Sequence, residues 1–349
     1  MKALVFNGPR DIRYETFADP ELLTPNSVIM KVTRCSICGS DLHMYHGETL
    51  GGAPYTADTP KFCTGHEFMG EIVEAGRDVC TFRVGDTALA AGGSGCGKCV
   101  ACVTGGAMKC ANVHVFGIGP ELQGGQAEFV CVPNADAVML NAEGLSDEHA
   151  LLLTDAMTTA YFGITRADVK PGGSVIVVGL GPIGLIGVEL AFLFGAAQVF
   201  ALDPVASRRA MAEKLGAVSL DPADEGAARI IDATHGRGAD SVFEASGASA
   251  AISSVLPLTA WGGTASFIGI PQPRDHLSMR LIMMKNITVR GGICQVTQTW
   301  PHLLPLLRQG RLKTAGLFSH QFGLKDGAEA FRLFDSRDDG VIKIMIDVE

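Results

Sequence analysis

The sequence has few charged residues, no excess of positive charge and no stretch typical of a secretory leader. Charged residues make up 19% of its 349 positions, which is too few for a disordered chain or a coiled coil. The 28 basic residues are outnumbered by 37 acidic ones, so the net charge of −9 excludes bulk attraction to nucleic acid or anionic lipid. We therefore expect a small-molecule substrate, with no nucleic-acid partner and no membrane partner.

The N-terminus lacks the long apolar segment of a signal peptide. Ten cysteines, four of them clustered, suit a reducing cytoplasm better than a disulfide scaffold. One apolar run, residues 174–197, is long enough to span a bilayer, but glycines and a proline interrupt it in the middle. A buried strand, a glycine turn and a buried helix explain this run better, so we expect a cytoplasmic protein.

The chain is long enough for about two domains. In the first half, short segments rich in Val, Ile or Phe are separated by Gly and Pro, which indicates an irregular β domain. From about residue 147, apolar strands alternate with helical patterns, which predicts a parallel sheet with helices on both faces. The tail beyond residue 290 is expected to rejoin the first domain through pairing of residues 1–6 with residues 342–346.

Four cysteines, Cys96, Cys99, Cys102 and Cys110, stand at C-x2-C-x2-C-x7-C spacing in a short glycine-rich stretch. Four thiolates so close in sequence can surround one tetrahedral Zn²⁺ and leave no open position, so this zinc would be structural. Two disulfides and an iron–sulfur cluster are the alternatives, although the cluster spacings fit poorly. The spacing favours zinc.

A glycine-rich turn follows the apolar segment 175–178. It contains Gly179, Gly181, Pro182, Ile183 and Gly184 in a G-x-G-x-x-G pattern. The first glycine permits a tight turn, the second lets the backbone approach a pyrophosphate, and the third lets helix and strand pack closely. The free N–H groups of the following helix would then face the phosphates, which predicts a dinucleotide site.

Asp203 ends the next predicted strand about 20 residues later, where the dinucleotide fingerprint requires an acidic residue. Its carboxylate can accept hydrogen bonds from both adenine-ribose hydroxyls and would repel a 2′-phosphate, which favours NAD. Arg208 and Arg209 lie nearby and could instead support NADP, or they could be solvated helix residues. Asp203 could also be an ordinary turn residue before Pro204.

Three further clusters are weak in isolation, because a lone histidine is more often structural and a lone buried cysteine usually packs. They are Cys38-Gly-Ser40-Asp41-Leu-His43, Gly65-His66-Glu67, and residues 153–161 around Asp155. Together with the cysteine tetrad and the glycine turn, they resemble the zinc-dependent alcohol dehydrogenases of the medium-chain dehydrogenase/reductase superfamily. The resemblance covers essentially the whole chain in the expected order.

The resemblance implies an α/β fold in two parts. Residues 151–290 would form a Rossmann domain with a doubly wound parallel sheet. Residues 1–150 and 291–349 would form a split GroES-like catalytic domain, an irregular β-barrel that carries the structural-zinc lobe at about 92–114.

The resemblance further implies that Cys38, His66 and Asp155 hold a catalytic zinc, with Glu67 beside it. Two cysteines and one histidine hold the metal in the alcohol dehydrogenase pattern, so Asp155 is a departure that points to a branch including secondary-alcohol and formaldehyde dehydrogenases. Helix capping is the alternative role for Asp155. The family positions also imply that Asp41 orients His66, and that Ser40 and His43 relay a proton from the alcohol to the surface.

The expected activity is hydride transfer between a secondary alcohol and NAD, with two zincs per chain and a homodimer or homotetramer. Polyols, primary alcohols, aldehydes such as formaldehyde, and amino alcohols remain open as substrates. A zinc-free reductase and a non-enzymatic zinc or redox sensor are the rival functions. Residues 51–55, Phe116, Cys294 and Trp300 are candidates for the substrate pocket, but each could equally be ordinary packing.

Overall fold

The computed structural model describes residues 1–48, 53–314, 316–336 and 340–348. The chain divides into two compact units. Unit 1 comprises Met1–Asp155, Gln295–Trp300 and Ala315–Glu349, and unit 2 comprises Ala156–Cys294 and Pro301–Thr314. The division expected from sequence differs in three places: residues 151–155 belong to unit 1, and residues 291–294 and 301–314 belong to unit 2. In the last of these segments, the backbone N–H of Lys313 donates to the Glu189 carboxylate at 2.7 Å.

The strands, in chain order, are β1 Lys2–Gly8, β2 Asp11–Thr16, β3 Val28–Ile37, β4 Phe62–Cys63, β5 Glu67–Ala75, β6 Thr87–Ala90, β7 Gly93–Ser94, β8 His114–Val115, β9 Phe129–Val132, β10 Met139–Asn141, β11 Ser174–Val178, β12 Gln198–Leu202, β13 Val218–Leu220, β14 Ala239–Glu244, β15 Thr259–Phe267, β16 Thr288–Gly291, β17 Phe318–Gly323 and β18 Lys343–Asp347.

The helices are α1 Asp41–Tyr45, α2 Val100–Val103, α3 Ala135–Val138, α4 Asp147–Thr154, α5 Ala156–Ala167, α6 Pro182–Leu193, α7 Ala206–Lys214, α8 Gly226–Ala233, α9 Ser249–Leu258, α10 Met279–Lys285, α11 Val296–Arg308 and α12 Gly327–Ser336. Among the described residues, no helix combines the length and the apolar character needed to cross a membrane.

Unit 1 is built from mostly antiparallel strands, as the sequence predicts. Its larger sheet has the order β10-β6-β5-β3-β18-β17, with β9 also paired to β3, and a smaller sheet has the order β2-β1-β4. The tail does rejoin this unit, but the predicted pairing with residues 1–6 is wrong. Strand β18 pairs with β3 and β17 instead, because both sides of β1 are taken by β2 and β4.

Unit 2 contains a parallel sheet of order β13-β12-β11-β14-β15-β16, which is the doubly wound order 3-2-1-4-5-6. Neighbouring residues of β14 face opposite layers. Val242 packs in a core cluster with Ile230 of α8 and Val255 of α9. Phe243 lies on the other side, so close to α5 and α6 that only glycine fits opposite it, at Gly163 and Gly187. Helices therefore cover both faces, and the predicted Rossmann fold with a GroES-like β domain is confirmed.

Candidate metal centres and dinucleotide site

Cys38 lies in the turn between β3 and α1, both in unit 1. The backbone N–H of Cys38 donates to the Asp41 Oδ2 at 2.9 Å, so a carboxylate three residues ahead fixes the turn. Asp41 is fully buried and Cys38 is 9% exposed. The sequence Cys-Gly-Ser-Asp thus places a buried thiol at the end of a strand and a buried carboxylate beside it.

His66 lies just before β5 and is 4% exposed. Its Nδ1 is 3.0 Å from the Asp41 Oδ1, within ion-pair distance, although the angle is poor for a hydrogen bond. Its Nε2 lies 3.5 Å from the Asp155 Oδ2 and 3.2 Å from the Ser40 Oγ. Asp41 therefore holds one ring nitrogen while the other faces Asp155, which is the carboxylate–histidine arrangement of many zinc sites.

Asp155 occupies a break between two helices. It is the residue after α4, with φ −154° and ψ −68°, and α5 begins at the next residue. Its Oδ2 accepts a hydrogen bond of 3.1 Å from the Cys38 thiol. The ligand atoms of Cys38, His66 and Asp155 all lie within 4.8 Å of one another. The helix break thus turns the carboxylate towards the thiol and the imidazole.

Without a cation, the thiol and the imidazole hold their protons more strongly than usual. Burial raises the pKa of the Cys38 thiol to about 11, and the negative charge of Asp155 adds to that effect. Burial disfavours the charged form of His66, but Asp41 and Asp155 outweigh it and raise the pKa of the imidazole. A divalent cation would reverse the preference of the thiol, so a thiolate, an imidazole and a carboxylate in one place suit Zn²⁺.

Glu67 and Lys343 form a buried ion pair next to this centre. The Lys343 Nζ donates to the Glu67 Oε2 at 2.6 Å, and the hydroxyl of Ser36 donates to the same oxygen. Glu67 is 0% exposed and Lys343 is 1% exposed. The Glu67 Oε1 is also buried and has no hydrogen-bond partner among the described residues.

Lys343 was missed at the sequence level. Burial disfavours its charged form, but Glu67 and the neighbouring acidic groups outweigh that cost and raise the pKa of the ammonium. Its one signal in the sequence is a single lysine inside the otherwise apolar run 341–346. A lysine in such a strand is readily taken for a residue that faces solvent.

Of the two proposed relay residues, Ser40 lies in the centre and His43 lies on α1. The Ser40 hydroxyl contacts the His66 ring as described above. The His43 Nδ1 is 2.7 Å from the Glu48 Oε2, and its side chain is 23% exposed. Ser40 therefore touches a proposed ligand, whereas His43 stands nearer to solvent.

The cysteine tetrad comes together in a lobe of unit 1. The Sγ atoms of Cys99 and Cys102 are 3.5 Å apart, and those of Cys96 and Cys102 are 4.0 Å apart. Sulfurs at roughly 2.3 Å from a tetrahedral zinc lie roughly 3.8 Å from one another. All ten cysteines of the chain are free thiols, so the alternative of two disulfides does not match this arrangement.

Backbone N–H groups point at two of these sulfurs. The N–H groups of Cys96 and Asn112 donate to the Cys110 Sγ, each at 3.3 Å, and they lower the pKa of that thiol. N–H groups of Lys98 and Cys99 lower the pKa of Cys96 to about 6. Burial raises the pKa of Cys102 to about 12, and a hydrogen bond with the Cys99 side chain contributes a smaller rise. A cation among the four sulfurs would favour the thiolate form of each.

In unit 2, the glycine turn lies between β11 and α6, at the carboxyl end of the sheet. Gly179 has φ +88°, a conformation that only glycine adopts without strain. A Cβ on Gly184 would lie 1.8 Å from the Gly179 carbonyl oxygen, whereas a Cβ on Gly181 would meet nothing within 4 Å. Pro182 opens α6, so the turn leaves space for a phosphate in front of the helix.

Asp203 follows β12 and braces the glycine turn. Its Oδ2 accepts from the N–H of Leu180 at 2.7 Å, and its Oδ1 accepts from the N–H of Val205 at 2.8 Å. Each carboxylate oxygen retains a lone pair for a further donor. Asp203 therefore stabilises the glycine turn and keeps acceptor capacity that ribose hydroxyls could use.

The two nearby arginines differ in their contacts. Arg209 donates to the backbone oxygens of Asp203 and Pro204 and forms an ion pair of 2.9 Å with Asp221. The Arg208 Nη1 lies 4.0 Å from the Asp203 Oδ2 and its side chain is 15% exposed. The Arg209 guanidinium is thus bound by other groups of the protein, and the Arg208 guanidinium lies near the Asp203 carboxylate.

Comparison with known proteins matches both halves of the chain. Residues 24–142 match the alcohol dehydrogenase GroES-like domain, and residues 182–309 match the zinc-binding dehydrogenase family. The chain is 40% identical over 338 residues to a probable zinc-binding alcohol dehydrogenase of Mycobacterium tuberculosis, covering 95% of this chain and 84% of the relative.

This chain belongs to the zinc-dependent alcohol dehydrogenases of the medium-chain dehydrogenase/reductase superfamily. It is 31% identical to sorbitol dehydrogenase of Bacillus subtilis over 349 residues, 99% of this chain and 97% of the relative. Among solved structures it is similar to an alcohol dehydrogenase of Thermus sp. ATN1, with a TM-score of 0.91 and 30% identity over the whole of both chains.

Several residues considered for the substrate pocket of this alcohol dehydrogenase are core residues. Phe116 is fully buried and packs edge-on against Phe68 at 5.1 Å between ring centres. Trp300 is 5% exposed, and its indole N–H bonds a backbone carbonyl. Cys294 is also buried. Residues 51 and 52 lie outside the described residues.

Proposed function

We propose that this protein is an NAD-dependent alcohol dehydrogenase that oxidises secondary alcohols to ketones and catalyses the reverse reduction. The observation that carries the proposal is the convergence of one thiol, one imidazole and one carboxylate within 4.8 Å in unit 1. A doubly wound dinucleotide fold with an intact glycine turn in the same chain supports it.

Cys38, His66 and Asp155 would hold a catalytic zinc, and the cysteine tetrad would hold a second, structural zinc. The catalytic set supplies three donors, which is the pattern of a site with an open position for substrate. Asp155 is the most exposed of the three, with 20% of its side chain accessible, so a substrate would approach from its side. When bound, zinc would supply Lewis acidity towards the alcohol oxygen, and NAD would supply the hydride acceptor.

Other side chains of unit 1 would orient the His66 ring and transfer the proton of the alcohol. Asp41 holds the His66 ring through its Nδ1 and so leaves Nε2 for the metal. The Ser40 hydroxyl, beside that Nε2, is placed to accept the proton of the alcohol. His43, with 23% of its side chain exposed, is placed to release that proton to solvent.

The preference for NAD rests on Asp203. A buried carboxylate at this position would repel the 2′-phosphate of NADP. Arg209, the residue that would best offset this repulsion, is held by Asp221 and two backbone oxygens. Arg208 lies against Asp203, so its positive charge is balanced by the same carboxylate.

The substrate class rests on Asp155 and on the relatives. The third ligand matches the branch with secondary-alcohol dehydrogenases, and a sorbitol dehydrogenase is among the relatives. The inner hydroxyls of a polyol are themselves secondary alcohols. Polyols are therefore the second candidate class, ahead of primary alcohols and formaldehyde.

We also propose a homo-oligomer in a reducing compartment such as the cytoplasm. Strand β16 ends the parallel sheet of unit 2, and all four of its residues are exposed. Val289 on this strand and Ile293 just after it are 37% and 69% exposed. An exposed edge strand with exposed apolar side chains on it and just after it suits pairing with a second copy. The free thiols suit the reducing compartment.

The proposed function is tested by counting metals and screening substrates on the purified protein. We expect two zincs per chain and reduction of NAD by 2-butanol, 2,3-butanediol or sorbitol, with NADP used less well. Strong chelation should stop the reaction. A protein that carries zinc but oxidises no alcohol with either cofactor would instead support the sensor function.

The substitution Cys38→Ala is the single change that tests the catalytic zinc site most directly. We expect loss of turnover and one remaining zinc per chain, because the tetrad shares no ligand with the catalytic centre. Atomic absorption on the purified variant gives the zinc count, and NADH absorbance gives the rate. A variant that keeps full turnover would contradict the assignment of Cys38, and Cys35, a buried cysteine outside the cluster, provides the matched Ala control.

A further inference from the structure

Trp300 connects the helix break at Asp155 to another part of unit 1. Its indole Nε1 donates a buried hydrogen bond of 2.9 Å to the carbonyl oxygen of Leu153. Leu153 lies in the last turn of α4, two residues before Asp155. The last carbonyls of a helix lack partners within the helix, so Trp300 supplies one where α4 ends and Asp155 begins.

The residues just before Trp300 contact the lobe that carries the cysteine tetrad. Three side chains reach backbone groups that lie between Cys102 and Cys110. The bonds, each 3.1 Å long, join the N–H of Met108 to the Gln295 Oε1, the Thr297 Oγ1 to the Gly105 carbonyl, and the Gln298 Nε2 to the Thr104 carbonyl. Residues 295–300, here called the brace, therefore touch the tetrad lobe at one end and α4 at the other.

We propose that the brace positions Asp155 as a metal ligand and couples the two metal centres. The folded tetrad lobe fixes residues 295–298, and Trp300 then fixes the end of α4. Trp300 is a positioning residue in this scheme, since it acts on the metal through Asp155 and touches no ligand atom. The inference rests on the assignment of Cys38, His66 and Asp155 as metal ligands in the proposed function.

The geometry explains why Asp155 needs such support. Cys38 is tied to Asp41 through its backbone N–H, and His66 is held by Asp41 through its ring. Asp155 lies between two helices and is the most exposed ligand. Residues that orient a metal ligand without touching the metal contribute about ten- to hundredfold to metal affinity. The brace is placed to contribute in this way.

The test compares Trp300→Phe with Trp261→Phe. Trp261 is the other tryptophan of the chain, lies in unit 2 and is 67% exposed, so it is the matched control. Zinc release to a chromogenic chelator is followed in each protein, and Cys38→Ala identifies the tetrad population. We expect the catalytic zinc of Trp300→Phe to bind about tenfold more weakly, with the tetrad zinc and Trp261→Phe unchanged.

Two results would overturn the positioning role. One is a zinc-release profile of Trp300→Phe that matches Trp261→Phe. The other is equal weakening of both zincs, which would indicate general loosening rather than an effect on Asp155.

A second variant tests the coupling to the tetrad lobe without a change in the buried tryptophan. Thr297→Val combined with Gln298→Ala removes two bonds between the brace and the lobe at positions that are not buried. We expect the catalytic zinc to weaken several-fold, and we expect little further weakening when Trp300→Phe is added, because both changes break one chain of contacts. Fully additive effects, or no effect of the double variant, would refute the coupling.

These measurements separate the inference from the proposed function. Zinc release needs neither alcohol nor NAD, so a protein that fails to oxidise alcohols can still show the effect. Conversely, unchanged zinc affinity in the brace variants would refute the positioning role of the brace, and the proposed dehydrogenase function would still stand.

Discussion

At the scale of single residues, the most consequential contact that the sequence did not reveal is the ion pair between Glu67 and Lys343. Both side chains are buried, and Ser36 supplies the same carboxylate oxygen with a second donor. The pair places one positive charge near the acidic groups of the centre, Cys38 and Asp155. It therefore holds Glu67 in place next to the metal ligands.

Exchange of Lys343 for Met should destabilise the protein strongly. The variant leaves the Glu67 carboxylate buried without its cation, and breaking such a pair typically costs about 3–5 kcal/mol. Urea unfolding followed by circular dichroism measures the loss in free energy of unfolding.

The double variant Lys343→Met with Glu67→Gln is the control for this prediction. It removes both charges and should recover much of the stability. If the single and double variants were equally unstable, the loss would come from packing and not from the unpaired charge.

At the scale of elements, two glycines of the turn between β11 and α6 serve different purposes. Gly184 allows close packing of the helix against the turn, and Gly181 leaves space for a phosphate near the backbone. Gly184→Ala would force a Cβ against the Gly179 carbonyl, so we expect a marked fall in stability. Gly181→Ala meets open space and has φ −67°, so we expect a normal melting temperature with weaker NADH binding.

Thermal unfolding and NADH fluorescence titration distinguish the two glycine variants. Normal NADH affinity in a folded Gly181→Ala protein would mean that the phosphates do not approach this turn. Gly323→Ala, in unit 1, where φ is −78° and a Cβ would meet no atom nearer than 3.8 Å, controls for the backbone cost of losing a glycine.

The first residues of the paired strands β11 and β14 form a contact whose contribution to stability should depend on pH. The Asp240 Oδ2 at the start of β14 accepts from the backbone N–H and the hydroxyl of Ser174 at the start of β11, at 2.8 and 2.7 Å. Burial alone would raise the pKa of Asp240, but these hydrogen bonds outweigh it and lower that pKa. A carboxyl with a lowered pKa stabilises the fold above its unfolded pKa, and the stabilisation is lost as the pH falls through the folded pKa.

Asp240→Ala should therefore lower the free energy of unfolding by about 1–3 kcal/mol at neutral pH. The gap to the wild type should narrow as the pH falls below about 4. Urea unfolding across a pH series measures both effects. Asp168→Asn removes a carboxylate charge paired with Lys170 and keeps a residue type that tolerates the φ of +58° at this position, so it should change little at any pH. A gap for Asp240→Ala that widens in acid would contradict the assignment.

At the scale of the whole molecule, the exposed edge of the parallel sheet predicts self-association. Val289→Lys should shift the protein towards the monomer, because a lysine on an edge strand discourages pairing with another strand. Size-exclusion chromatography with light scattering measures the mass. Val84→Lys, an equally drastic change at a 63% exposed position of unit 1, should leave the mass unchanged, and an unaltered oligomer in Val289→Lys would exclude the β16 edge as the interface.

The sequence by itself determined those parts of the protein whose residues are neighbours along the chain. The tetrad and the glycine turn each lie within one short segment, so spacing alone indicates the chemistry, and the alternation of strands with helices predicts the parallel sheet. Cys38, His66 and Asp155 are far apart in sequence. Their grouping came from the family resemblance, and the structure brings the three together in unit 1.

Only the tertiary structure decided the contacts between distant segments. Lys343 and Glu67 are 276 positions apart, and Trp300 and Leu153 are 147 positions apart. The pairing of β18 with β3, rather than with residues 1–6, depends on which strand edge is free once β1 has paired on both sides. Such contacts follow from competition among folded elements for strand edges and buried space. A local pattern of residue types cannot predict the outcome of that competition, because the competing elements are far apart in sequence.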